Sequence, residues 1–240
     1  MDVGQLRESV KEMLSGDYET LEIDVVPAAS QVSLGKRAVR VAVIAFSIDL
    51  RESTSMLDDH RSQTTGKIHK AFLHVVATVV RSSGGKIRNF TGDGLLAFWP
   101  LSSTEVDDVV VAALKINELI RNDAAALFAK YRDLDFGIGV SSGSILVFKV
   151  GLEGATRDSD LVFIGDCVNM AVKMAKKAQA PLPIWVTSDI HDALSVELRL
   201  GDPDALIFDE PYWENSTMKY VGGELEVYKF KDEGQLEIVW

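Results

Sequence analysis

The chain has 240 residues, 47% of them hydrophobic, and carries 25 Lys and Arg against 36 Asp and Glu, a net charge of −11. That length suits one well-packed domain or two small ones, and an acidic balance with no basic run argues against general binding to nucleic acid or an anionic membrane. No apolar run reaches membrane-spanning length, the N-terminus lacks a signal-peptide layout, and a lone cysteine, Cys167, excludes an internal disulfide framework; the expectation is a soluble cytoplasmic protein with no stable membrane association.

Residues 4–14 suit a short amphipathic helix, with Leu6, Val10 and Leu14 on one side. It leads through Pro27-Ala-Ala-Ser30, and residues 1–38 read as an accessory arm. Arg40 to Ile48, rich in Val, Ile and Phe, reads as a buried strand that delivers Asp49 at its end. Thr64 to Ser83 follows as a helix with Ile68, Phe72, Val75, Val76 and Val79 on one face, stopped by Gly84-Gly85. A hairpin is expected next, 86–90 paired with 94–99 around Thr91-Gly92-Asp93-Gly94, because Asp-Gly between apolar runs is a strong turn signal.

Ser103 and the acids after it predict the capped start of a long helix to about Lys130. Leu134 to Val140 alternates as a strand, and Gly143 is expected to turn the chain into a further strand, Ile145 to Val150. Asp160 to Gly165 reads as a strand and Asp166 to Gln179 as a helix with Asp166 at its N-cap. Pro183 to Thr187, a short helix from Ser188, and a second hairpin around Gly222-Gly223 complete the chain. This order predicts an α/β (α+β) fold, a ferredoxin-like βαββαβ core with additional C-terminal strands and helices.

If the strands ending at Asp49 and Asp93 are neighbours, two carboxylates meet without a partner, and a divalent cation is the usual resolution. Each acid alone has a bland reading, as a strand end or a turn residue. The four histidines show no metal-ligand spacing, and Cys167 reads as a small buried residue with no histidine beside it in sequence.

From about Arg40 to Phe230 the chain resembles the class III nucleotide cyclases. In that family a strand delivers an aspartate followed by Ile-x-Gly-Phe-Thr, matched here by Asp49-Leu50-Arg51-Glu52-Ser53-Thr54. The second family aspartate sits in a Gly-Asp hairpin, matched by Gly92-Asp93, and a later Asn-x-x-x-Arg is matched by Asn169-Met-Ala-Val-Lys173. The resemblance makes residues 39–240 a cyclase domain acting on a nucleoside triphosphate. Asp49, Asp93 and the Leu50 carbonyl would hold two divalent ions (Mn²⁺ or Mg²⁺), and the amides of Arg51, Ser53 and Thr54 would cradle the terminal phosphates. Asn169 would orient the ribose and Lys173 would offset charge on the α-phosphate. It further implies a head-to-tail homodimer with shared sites.

Some positions depart from the family pattern. Lys173 replaces arginine, keeping charge but losing the planar fork. Glu52 and Ser53 replace glycine and phenylalanine, and Lys219 is the nearest substitute for a C-terminal phosphate-binding lysine. At the base-reading positions stand Arg88 and Val162; a cationic donor serves carbonyl acceptors, and valine offers an exocyclic amine no partner, which favours UTP over ATP. The stand-alone build also looks like the pyrimidine cyclases of bacterial Pycsar anti-phage systems, whose product acts on a separate receptor. Adenylate or cytidylate cyclase, a non-catalytic nucleotide-binding dimer module, and a palm-type polymerase are the alternatives. No template groove signature supports the last.

Overall fold

The computed structural model describes residues 2–53, 55–56, 61–152, 159–200, 212–220 and 223–231. Two long strands dominate it, β2 (Arg37–Leu50) and β5 (Phe136–Gly151), antiparallel and in unbroken register from Val39↔Val147 to Leu50↔Phe136. Each shares its outer edge between two partners. β2 pairs with β1 (Glu19–Glu22) near its start and with β4 (Gly94–Pro100) near its end; β5 pairs with β7 (Ile184–Thr187) early and β6 (Ser159–Ile164) late. β3 (Lys86–Phe90) lies outside β4, while β8 (Trp213–Tyr220) and β9 (Gly223–Phe230) extend the sheet beyond β7. The order β3-β4-β2-β5 is the arrangement expected of a ferredoxin-like core, whose two connections are helices α2 (Ser62–Ser82) and α3 (Val106–Glu118).

Alternation along β2 decides what covers each face. Ile44, Phe46 and Ile48 face α2 and α3 in the larger core, which includes Phe72, Val76, Val110, Trp99 and Phe136. Val39, Val41, Val43 and Ala45 face the other way, against α5 (Asp166–Lys177; α4 is the short helix Ala125–Phe128) and against Val26 and Val32 of the N-terminal segment. Residues within 1–38 thus add a strand to the sheet and bury side chains against it, Val26 and Val32 among them. Helix α1 (Val3–Leu14) buries none of its residues.

Several expectations change. Gly143 does not turn the chain: it pairs with Val43 in the middle of β5. Its missing side chain eases the close approach of α5, because a Cβ there would lie 3.1 Å from that of Cys167, a tight contact. The helix expected from Ser103 begins at Val106 with Glu105 as its N-cap and no side-chain cap bond; a 3₁₀ turn, Leu101–Ser103, comes first. It gives way to a π turn at Leu119–Asp123 before α4. Gly165, not Asp166, is the N-cap of α5. Gly223 belongs to β9, opposite Tyr220, while Gly222 and His60 lie outside the described residues. Two short helices, α6 (Ser188–Asp192) and α7 (Val196–Leu200), follow β7.

Candidate active site

The site is built where β2 ends and β4 begins. Asp49 pairs across the sheet with Gly94. The turn between β3 and β4 closes by the Thr91 amide donating to the Gly94 carbonyl at 2.9 Å, and its left-handed residue is Gly92, at φ 80°. The turn therefore centres on Gly92-Asp93, not on Asp93-Gly94. The Leu50 amide donates to the Asp93 carbonyl at 3.4 Å, folding the hairpin tip onto the end of β2. A Cβ at residue 94 would lie 2.5 Å from the Ile48 carbonyl oxygen and 2.8 Å from Thr91 Oγ1, so glycine lets the hairpin lie against the end of β2.

The two acids feel each other. Burial, and then the charge of Asp93, push the Asp49 carboxyl above its usual value; Arg51 and Lys176 pull it down by less. Ser53 donates its hydroxyl to Asp93 Oδ2. Glu52, in the family's glycine place, adopts φ 53°, a left-handed conformation that costs a side-chain-bearing residue about 1–2 kcal/mol. Arg132 holds it there, pairing with the Glu52 carboxylate and donating to Ser55 Oγ at 3.0 Å. Thr54 lies outside the described residues.

Arg51 is placed differently from its expectation. Its amide donates to the Asp135 carbonyl at 2.8 Å, and so is already engaged. Its guanidinium runs to the end of α5: Nε donates to Ala178 O at 3.0 Å, and Nη2 to Ala178 O at 2.6 Å and to Ala175 O. Nη1 faces Asp49 Oδ2 at 3.6 Å.

Asn169 and Lys173 stand one turn apart on α5, on one side of the helix. The contacts above attach the last turn of α5 to Asp49, and exposed Asn169 lies seven residues, ~10 Å, up the axis from Lys176. Arg88 sits at a bulge of β3, its guanidinium donating to Ile87 O at 3.3 Å and to Val26 O at 3.1 Å, with a buried Nε that has no partner. Val162 is 38% exposed, on the face of β6 opposite Leu161 and Phe163, which pack into the core. Arg88 and Val162 therefore do not meet on one face of the chain. Lys219 pairs with Glu224 at 3.4 Å on the surface, and its carbonyl accepts from Lys177 at 3.1 Å. The Cys167 thiol is buried and pushed up to about 11, so it stays protonated at neutral pH.

The sequence reading missed the track in which α5 lies. Gly137, Gly139, Ser141 and Gly143 alternate on one face of β5, and a Cβ at residue 139 would lie 2.1 Å from the Ala171 carbonyl oxygen. A run of small residues at period two was the available signal. Arg132 was also missed, and nothing local in the sequence marks it.

Among the described residues no cluster of three or more His, Cys, Asp or Glu could hold a metal ion. The fit of a divalent cation rests on the donor chemistry instead. Two mutually repelling carboxylates suit Mg²⁺ or Mn²⁺, which take one or two carboxylates and complete their shell with water and phosphate oxygens. No helix among the described residues is long and apolar enough to cross a membrane.

No protein-family model matches the chain. It is similar to a uridylate cyclase of Burkholderia cepacia, 28% identical over 204 residues that cover 82% of this chain and 86% of that one. A uridylate cyclase of Gulbenkiania mobilis is 30% identical over 191 residues, 74% and 72% of the two chains. Among solved structures, the guanylyl cyclase Cya2 superposes with a TM-score of 0.65 at 19% identity, over 83% of this chain and 98% of that one. The adenylyl cyclase CyaB from P. aeruginosa gives 0.62 at 18%, over 82% and 96%. With relatives matched over most of both chains and a shared fold, the chain belongs to the class III nucleotide cyclases and is a nucleotide cyclase.

Proposed function

We propose that the chain is a uridylate cyclase, converting UTP to 3′,5′-cyclic UMP and pyrophosphate in a head-to-tail homodimer. The observation that carries this reading is the Asp49–Asp93 pair, whose charges act on each other, in a chain similar to uridylate cyclases over most of both lengths. In the reaction the ribose 3′-oxygen bonds to the α-phosphorus, its proton passes to solvent, and the α-phosphorus–oxygen bond to pyrophosphate breaks. A pair of divalent ions, when bound, would polarise the 3′-hydroxyl and neutralise the triphosphate.

The chain's own groups supply the rest. Asp49, Asp93 and the Leu50 carbonyl would hold the ions, and the loop from Ser53 would contact the terminal phosphates, the Arg51 amide being engaged with Asp135. Asn169 would position the ribose, and Lys173 would stabilise charge at the α-phosphate. Within one chain Asn169 stands well up α5 from the acids, which agrees with one protomer lending its acids and the other its helix. Arg88 would read a pyrimidine carbonyl; its unpartnered Nε supports that role. Lys219 is a candidate phosphate contact once freed from Glu224. We place the enzyme in the cytoplasm, its product acting as a messenger on a separate receptor in anti-phage defence.

A mixing experiment tests the shared site. Asp93→Asn and Asn169→Ala should each lower turnover of UTP by about 10³-fold or more as homodimers. Co-refolded, they should recover roughly a quarter of wild-type activity, because half the dimers then carry one intact site. No recovery, with heterodimers demonstrated by mass, would contradict the shared-site arrangement.

A further inference from the structure

Arg51 makes more contacts than a loop cation needs. One edge of its guanidinium bridges the Ala175 and Ala178 carbonyls, which the last turn of a helix otherwise leaves without partners, and Nη1 is left facing Asp49 at 3.6 Å. Space for this is made by Gly137, where a Cβ would lie 2.7 Å from Arg51 Nη2 and 2.2 Å from both carbonyl oxygens. The junction is pinned a second time through Asp135. Its carbonyl takes the Arg51 amide at 2.8 Å, and its Oδ1 takes the Ala180 amide at 3.1 Å and Arg121 Nη2 at 2.9 Å. The Arg51 side chain is only 17% exposed, against 22% for Asp49, so solvent screens the pair little.

We propose that Arg51 is a positioning residue for the carboxylate pair, locking the end of β2 to the last turn of α5 so that Asp49 keeps one fixed orientation beside Asp93. The inference rests on the two-metal reading. An arginine free to swing would follow Asp49 and compete with a cation for it. Arg51 cannot, because its other edge is held on helix carbonyls, so its Nη1 guides the carboxylate without covering it. The same lock fixes α5, which carries Asn169 and Lys173, against the strand that carries Asp49. In a dimer with shared sites, one side chain thus bears on the acids of one site and on the helix residues of the other.

Lysine at this position separates geometry from charge. Arg51→Lys keeps a cation near Asp49 but cannot span two carbonyls while facing a carboxylate. Positioning predicts that Arg51→Lys lowers kcat about 10–100-fold, changes KM for UTP less than about threefold, and weakens Mn²⁺ binding to the nucleotide-free protein about 10–100-fold, the scale of lost outer contacts at metal sites. Arg51→Gln, which removes the charge, serves as the comparison. Lys at wild-type kcat with Gln binding Mn²⁺ more tightly would show that only charge matters and would overturn the proposal. So would a rise in KM at unchanged kcat, the sign of a direct phosphate contact, or a lower melting temperature with both constants intact, the sign of a purely structural cap. Mn²⁺ binding to the wild type is read first by paramagnetic resonance; if the wild type binds none while Asp93→Asn behaves identically, the two-metal reading fails independently of Arg51.

Discussion

Asp49 shows what a half-buried carboxylate beside a second acid costs the fold. Burial and the Asp93 charge raise its carboxyl above the ordinary aspartate value of 3.8, so the native state holds the proton longer than the unfolded chain does. Native protein therefore binds more protons than unfolded protein between 3.8 and the raised value, and stability declines as pH rises through that window. At neutral pH the ionised carboxylate is a burden on the metal-free protein. Asp49→Asn should remove it: we expect a higher melting temperature than wild type at pH 7 without divalent ions, a gap that closes toward pH 4, and no turnover. A lower melting temperature at pH 7 would show that the Arg51 ion pair outweighs the repulsion. Loss of stability for function at such sites is common. Asp49 and Asp93 were legible in the sequence because strand ends and glycine turns are local signals. Arg51's destination was not, since its carbonyl partners lie 124 and 127 residues away.

At the scale of elements, the close approach of α5 to β5 organises the site. Backbone atoms of α5 occupy the space where side chains of residues 137 and 139 would stand, whereas residue 143 meets only the Cys167 side chain. Gly139→Ala should cost about 1–3 kcal/mol through overpacking and lower the melting temperature by roughly 3–10 °C, while Gly143→Ala, against a side chain that can give, should cost clearly less. Equal effects in thermal denaturation would contradict this account. The core strands and the two crossover helices were readable because their periodicities of 2.0 and 3.6 are written in apolar residues. Gly143 misled for an instructive reason: a glycine needed for close packing looks, in sequence, like one needed for a turn. Ser103 misled similarly, as a capping residue type that the chain places in a 3₁₀ turn instead.

At the scale of the whole molecule, the ferredoxin-like order, the uncovered helix face of Asn169 and the carboxylate pair belong to one enzyme class, and the base remains the property that distinguishes its members. Sequence could order Arg88 and Val162 on their strands but could not show that the Arg88 guanidinium reaches the Val26 carbonyl, because the β3 bulge and the N-terminal segment set that contact together. The most direct test is to incubate the 240-residue protein separately with ATP, GTP, CTP and UTP, in Mn²⁺ and in Mg²⁺, and to identify products by chromatography and mass. Cyclic UMP and pyrophosphate are expected in equal amounts from UTP, well above any product from the other three. Cyclic AMP as the main product would contradict the pyrimidine assignment, and no cyclic nucleotide from any of the four would contradict the proposed catalytic site.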